Sequence, residues 1–230
     1  MSNSSLVSYT RISPNSNPRK KKITKITIHH MAGKLSIEQC GEEFASPERR
    51  GSSNYGIGSD GRIAMYVEEK DRAWTSSNAE NDHMAVTIEV ANDVVGGDWH
   101  VSDKALASLV DLCTDICKRN KIERLNFTGN KNGNLTMHKY FAATVCPGAY
   151  LESKFPYIAN EVNKRLISEE KENENMRFKD VPETHWAYKA IEELAEKGIV
   201  NGYDDGTFRP NEPITRAEMA ALMSRVMGAK

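Results

Sequence analysis

One histidine and one cysteine stand eight positions apart in Thr136-Met137-His138-Lys139-Tyr140-Phe141-Ala142-Ala143-Thr144-Val145-Cys146-Pro147-Gly148. A neutral imidazole and a thiolate are good ligands for zinc, and a site closes on the metal once a third ligand joins them. The third candidate lies far upstream in Ile26-Thr27-Ile28-His29-His30. Close ligand pairs on both sides would signal a structural zinc finger. One close pair plus one distant ligand instead signals a metal held on a folded scaffold, with a coordination position left for water. A carboxylate also stands out. Glu89 sits inside the apolar run Ala85-Val86-Thr87-Ile88-Glu89-Val90-Ala91, where burying it costs free energy unless it is paired or near a metal. The bland reading, a glutamate on a solvated sheet face, is set against a functional one, which the suspected metal favours.

These groups need strands to position them. Residues 23–30 predict a strand with Ile26 and Ile28 on one face and Thr27 and His29 on the other. Residues 85–91 predict a second, with Val86, Ile88 and Val90 opposite Thr87 and Glu89. His29 and His30 are adjacent, so only one of them can face the metal. Residues 55–67 read as a hairpin turning at Asp60-Gly61. Ser36 with Gln39 opens a short helix, and Ser102 caps a long one over residues 103–120 whose apolar face holds Cys113 and Cys117. Those two thiols and Cys40 are expected in the core, where reduced cysteine usually sits. Residues 151–167 predict another helix. Residues 1–22 read as an irregular lead-in whose basic run Arg19-Lys20-Lys21-Lys22 is a solvated patch, and His83 and His100 as surface residues in loops.

A chain of 230 residues with 39% hydrophobic and 27% charged content has room for one medium domain and one small one. Its net charge of −1 argues against a general nucleic-acid binder. Lysine and arginine exceed acids by three over residues 1–168 and fall four short over 169–230, which supports a boundary there. Four cysteines, one of them assigned to metal, leave an odd number and fit a disulfide framework poorly. No apolar run reaches the length of a secretory signal or of a membrane span of ~18–20 residues, so no membrane partner is expected. The expectation is synthesis in the cytoplasm without a signal peptide.

The motifs over residues 23–166 resemble the zinc-dependent N-acetylmuramoyl-L-alanine amidases related to peptidoglycan recognition proteins, and most of all the catalytic parts of phage and clostridial endolysins. They are Ile26-Thr27-Ile28-His29-His30, Tyr55-Gly56-Ile57-Gly58-Ser59-Asp60-Gly61-Arg62-Ile63, Val86-Thr87-Ile88-Glu89-Val90, and Thr136-Met137-His138 with Thr144-Val145-Cys146-Pro147. The resemblance implies an α/β fold with a central mixed sheet flanked by helices. It implies one Zn2+ per chain on His29, His138 and Cys146, with Glu89 as general base and Thr144 holding the developing oxyanion. The implied substrate is peptidoglycan, cut at the amide between N-acetylmuramic acid and L-alanine. Ser53 stands where some members carry a tyrosine near the zinc, and that role is not transferred to Tyr55. The rival readings are a non-catalytic peptidoglycan-binding protein of the same fold and a zinc peptidase cutting the stem peptide.

Residues 169–176 are charged and almost free of apolar groups, and read as a linker. Residues 177–230 then resemble one S-layer homology motif, a small helical module. It is carried by Phe178-Lys179-Asp180-Val181-Pro182, His185-Trp186-Ala187, Gly198-Ile199-Val200-Asn201-Gly202-Tyr203, Asp205-Gly206-Thr207-Phe208-Arg209-Pro210 and Ile214-Thr215-Arg216-Ala217-Glu218. Such motifs imply binding to secondary cell-wall polysaccharide, often pyruvylated. Helices are expected over residues 186–197, ending at Gly198, and from Thr215 onward. Gly202 and Gly206 are accounted for by turns, and Thr215 with Glu218 by helix capping. Arg216 has no such local reason. A planar guanidinium suits a carboxylate, so Arg216 is the first candidate for wall binding. Trp186 is either a sugar-stacking surface or core packing. The motif usually acts in threes, so a single copy implies either a homotrimer through the tail or weak binding.

Overall fold

A computed structural model describes residues 2–228, leaving the side chains of 169–175 outside the description. The strands are β1 (Tyr9–Thr10), β2 (Ser16–Pro18), β3 (Lys25–His30), β4 (Tyr55–Ile57), β5 (Ile63–Met65), β6 (Asp71–Ala73), β7 (Ala85–Val90) and β8 (Leu135–Met137). The helices are α1 (Ile37–Ala45), α2 (Ala79–Met84), α3 (Asp103–Asn120), α4 (Ala149–Asn175), α5 (Tyr188–Glu196) and α6 (Arg216–Val226). Chain contacts divide the molecule into two units, Met1–Leu166 and Ile167–Lys230.

The first unit is built on a six-stranded mixed sheet in the order β1-β5-β4-β7-β3-β8. The β4–β5 hairpin is antiparallel and the other pairs are parallel. Gly61, in the left-handed region at φ +88, closes that hairpin. Parallel strands at the centre are covered on both faces, which explains their near-continuous burial. Ile26, Ile28, Val86, Ile88, Leu135 and Met137 face a core made with α3 and α4. On the other side Ile37, Cys40 and Phe44 of α1 pack with Ala64 and Tyr66. Ser36 and Gln39 form the capping box of α1, and Ser102 caps α3. Cys40, Cys113 and Cys117 are free and buried, as core thiols should be.

Several local expectations are corrected. The lead-in is not irregular throughout: β1 joins the main sheet beside β5, and β2 pairs antiparallel with β6. Strands of two or three residues are too short to show a period. Arg19 is not a solvated charge. Its guanidinium donates to the carbonyls of Glu69, Asp71, Asp82, His83 and Ala85 at 2.8–3.1 Å, closing the ends of β6, α2 and β7 together. Burial lowers its pKa to about 10, so it stays charged at neutral pH. His83 belongs to α2 rather than to a loop. His100 is half-buried, with Nδ1 2.7 Å from Asp93 and its ring 4.2 Å from that of Tyr150. α4 extends through the charged stretch expected as a linker to Asn175, consistent with the high helix propensity of Glu and Lys.

In the second unit Phe178, Val181 and Ile191 form a small core. α5 begins two residues after Trp186, so the tryptophan precedes the helix. Gly198 at φ +66 follows the end of α5, and Thr215 and Glu218 make the capping box of α6. Gly206 is a turn glycine at φ +79, but Gly202 is not one. A Cβ there would lie 2.5 Å from the Phe178 ring, so close packing explains it. Arg19→Ala should destabilise the protein by about 2–3 kcal/mol, because several buried carbonyls lose their donor. A lower urea midpoint would show it. Arg19→Lys should recover little, since one ammonium cannot span five carbonyls; full recovery would sink the clamp.

Candidate metal centre

The centre stands on three neighbouring strands, β7, β3 and β8. Their register pairs Thr27 with both Thr87 and Thr136, and pairs His29 with Glu89. Side chains two apart share a face. One face therefore carries two rungs: Thr136, Thr27 and Thr87, and then His138, His29 and Glu89. The sequence holds this as three triplets, Thr-Ile-His, Thr-Ile-Glu and Thr-Met-His. The threonine rung is fully buried and hydrogen-bonded. Thr27 Oγ1 lies 2.9 Å from Thr136 Oγ1, and Thr87 Oγ1 lies 2.8 Å from Thr75 Oγ1. Asn81 donates to Thr27, while Asp82 holds Ser76 and the Thr75 amide. This network and α2 were missed in the sequence, although the triplets themselves could have signalled the rung.

His138 lies one residue past β8, in a 3-10 turn over His138–Tyr140. Cys146 returns to the same place and is buried. Its amide donates to Thr144 Oγ1 at 3.2 Å, its carbonyl accepts from Lys139 at 3.1 Å, and its sulfur accepts the His30 amide at 3.4 Å. One ligand atom from each of His29, His138 and Cys146 lies within 4.8 Å of the others. His29 Nδ1 is 3.7 Å from Cys146 Sγ, and the two imidazole rings are 4.5 Å apart. His30 contributes its backbone to this site while its ring turns to Trp99, so the strand face selects His29. Glu89 lies beside the three, its Oε1 3.9 Å from His29 Nδ1. It is 13% exposed, which removes the reading of a solvated sheet glutamate.

Burial keeps this cluster neutral. It lowers His29 well below the ordinary histidine value, helped by His138 and His30, and it lowers His138, with Asp82 opposing. It raises the Cys146 thiol, and Glu89 adds to that. It pushes Glu89 up to about 8, with Arg49 partly offsetting. The His29–Glu89 contact is thus a neutral pair at neutral pH rather than an ion pair. Nε2 of both histidines and Oε2 of Glu89 are buried without a hydrogen-bond partner. Tetrahedral bonds of ~2.0–2.3 Å put neighbouring ligands about 3.3–3.7 Å apart. The His29–Cys146 spacing meets that, the donors are two imidazoles and a thiol, and His29, His138 and Glu89 each carry an unpartnered polar atom. The residues fit a zinc-like ion. Thr144 sits beside the cysteine with its hydroxyl oxygen occupied by the Cys146 amide, which leaves its proton free to donate. Ser53 bonds the Thr87 carbonyl, and Tyr55 is buried with its hydroxyl on Glu69.

In the second unit Trp186 is 89% exposed, which removes core packing as its role. Its ring stacks 5.9 Å from that of His185. Arg216 is the exposed first residue of α6, and among the described residues no ion pair engages it. Neither lines the groove of about 510 Å³ in this unit, whose walls include Tyr203, Phe208, Arg209, Ile214, Leu222 and Arg225. Arg209 lies 4.1 Å over the Tyr203 ring. Only its place in a motif marked it in the sequence.

Residues 19–149, more than half of the chain, match the N-acetylmuramoyl-L-alanine amidase family, and residues 177–220 match the S-layer homology domain. The fold is similar to that of PlyL, with a TM-score of 0.55 and 17% identity over 68% of this chain and 96% of that one. It is also similar to AmpD (0.53, 18%, 68% and 96%) and to a mutant endolysin from Bacillus subtilis (0.53, 18%, 68% and 99%). The tail is 53% identical over 51 residues to the outer membrane protein SlpA of Thermus thermophilus, covering 22% of this chain and 6% of that protein. It is 46% identical over 50 residues to a cellulosome-anchoring protein of Acetivibrio thermocellus, 22% and 11%. The chain thus spans a small fraction of the length of these curated relatives.

Because both histidines are already neutral, loading zinc slightly below neutral pH should release nearly two protons per ion, one from Cys146 and one from Glu89. Calorimetry in buffers of different ionisation enthalpy measures this. Glu89→Gln should remove about one proton from the count. In the metal-free protein a raised carboxyl pKa costs stability progressively from pH ~4.5 to about 8, by at most about 1.4 kcal/mol per pH unit. The stability advantage of Glu89→Gln over wild type should therefore grow across that window, and a flat difference contradicts the burial of Glu89.

Proposed function

The chain belongs to the N-acetylmuramoyl-L-alanine amidase family, and we propose that it is a zinc-dependent peptidoglycan hydrolase cutting the amide between the lactyl group of N-acetylmuramic acid and the L-alanine of the stem peptide. The observation that carries this reading is the convergence of His29, His138 and Cys146 beside a buried Glu89. One zinc per chain would be held by those three residues, and when bound it supplies an acidified water and a Lewis acid for the scissile carbonyl.

The chain's own residues do the rest. Glu89 takes a proton at a carboxylate oxygen and returns it to the departing alanine nitrogen. Its raised proton affinity suits it to hold that proton near neutral pH, although a nearby cation lowers it again. The Thr144 hydroxyl, anchored by the Cys146 amide, donates to the developing oxyanion; one donor of this kind is worth about 3–4 kcal/mol. The rung of buried threonines fixes the strands beneath the ligands. A non-catalytic recognition protein would be expected to lack one of these groups.

The tail brings the enzyme to secondary cell-wall polysaccharide, with Arg216 meeting anionic substituents and Trp186 offering a flat apolar face. Three chains associate through α6. That helix has no buried residue, and Met219, Met223, Val226 and Met227 expose an apolar stripe at helical spacing. Among the described residues no helix is long and apolar enough to cross a membrane, and the protein acts at the wall after release.

Digestion of purified cell wall should expose new N-terminal alanine without new reducing sugars. Reducing ends alone would make the bond glycosidic, and cleavage inside the peptide would make the enzyme a peptidase. Glu89→Gln should cut kcat by at least about 100-fold while keeping zinc; Cys146→Ser should lose both. Sedimentation of the full chain should give a species three times 25.7 kDa. Met223→Asp should convert it to monomer, and a wild-type monomer at high concentration rules out self-association.

A further inference from the structure

Cys146 sits in a turn outside the strands, tied to β3 by one bond from the His30 amide to its sulfur, and more must fix it. The segment 92–100 crosses that turn. Trp99 occupies the left-handed region at φ +59, where a bulky side chain is strained and glycine would be relaxed. Its backbone is held there by Asn92, fully buried, whose Nδ2 donates to the Trp99 carbonyl at 2.8 Å. The Trp99 amide donates to Gly96 at 3.0 Å, and Tyr150 donates to the neighbouring Asp98 carbonyl at 2.8 Å.

From this position Trp99 reaches both sides of the cysteine. Its Cβ fills the space where a side chain on Gly148 would stand, 2.6 Å from the Cβ that an alanine would add. Gly148 is itself at φ +86 and bonds back to Val145, so the turn holding Cys146 is pressed directly against Trp99. The indole meets the His30 ring edge-on at 4.9 Å, and the His30 amide is the group that donates to Cys146 Sγ. Strained backbone at a site persists only where its surroundings over-determine it, and it is commonly tied to function.

We propose that Trp99 is a positioning residue for the metal centre: its Cβ braces the Gly148 turn and its ring braces His30, so that Cys146 Sγ is held 3.7 Å from His29 Nδ1, the spacing of two ligands of one ion, before any metal arrives. The proposal rests on the metal-centre reading above. It adds that zinc affinity depends on a residue that donates no ligand atom. Partners of this kind typically change affinity by 10–100-fold.

The test is competition for zinc against a chromophoric chelator, with full-length protein, at a temperature where each variant is folded by circular dichroism. Trp99→Gly relaxes the backbone but removes both braces, and should weaken zinc binding by about 10–100-fold. Trp99→Leu keeps the Cβ and loses the ring, and should fall between; it decides the matter if the glycine variant does not fold. Trp99→Phe keeps both braces and should bind within a few-fold of wild type. A residue that only packs would shift the melting temperature of the metal-free protein and leave the zinc affinity of the folded state alone. Wild-type affinity in the folded glycine and leucine variants overturns the proposal. Absence of zinc binding by the wild type overturns the metal centre itself, which is a different result.

Discussion

The whole catalytic unit depends on the parallel register of β7, β3 and β8. With His29 opposite Glu89 and Thr27 opposite Thr87 and Thr136, one sheet face collects the threonines, His29 and Glu89, and the other collects Ile26, Ile28, Val86, Ile88, Leu135 and Met137. A slip of β3 by one residue would turn His30 to the metal face and move Ile26 and Ile28 out of the core. Apolar burial on the α3–α4 side therefore enforces catalytic geometry on the opposite side. The site gets its rigidity from a core it does not touch.

That arrangement is electrostatically unusual, because it gathers two imidazoles, a thiol and a carboxyl where little water can reach. Burial resolves the conflict by keeping all four uncharged: the histidines deprotonated, the thiol and the carboxyl protonated. What it cannot resolve are the orphaned polar atoms of both imidazoles and of Glu89, each costing on the order of 1–3 kcal/mol. A divalent cation held by His29, His138 and Cys146 would reverse that balance, by making the charged forms of cysteine and glutamate favourable.

What was legible in the sequence follows the same division. Features written locally could be read: the two long central strands, the capping boxes at Ser36 and Thr215, the turn at Asp60-Gly61, and the closeness of His138 and Cys146. Choosing His29 over His30 needed only strand alternation and a family resemblance. Features made by distant backbone could not be read. Arg19 looked like part of a basic run because its five carbonyl partners lie 50 to 66 residues away. Trp99 lies in a loop whose partners, His30 and Gly148, meet only in three dimensions. Gly202 looked like a turn residue because its neighbour in space, Phe178, is remote in sequence. The threonine rung was within reach, since each member precedes a site residue by two, but it becomes meaningful only once the three strands are known to be adjacent.

The tail poses the opposite physical problem. Its buried apolar side chains are few, among them Phe178, Val181 and Ile191, and α6 contributes none. Modules of about fifty residues bury a small fraction of their surface and are marginal on their own. The capping box of α6 cannot compensate, since such a cap contributes roughly 1 kcal/mol. Exposed methionines along α6 are costly to a lone module and useful to an associating one, being flexible enough to fit an imprecise partner surface. If neighbours supply the missing contacts, folding of the tail becomes tied to local concentration, and concentration is highest where chains accumulate on the wall. Binding would then stabilise the element that binds, and several weak contacts to polysaccharide would act together without any one being strong. The catalytic unit needs no such help, because its sheet is covered on both faces within a single chain.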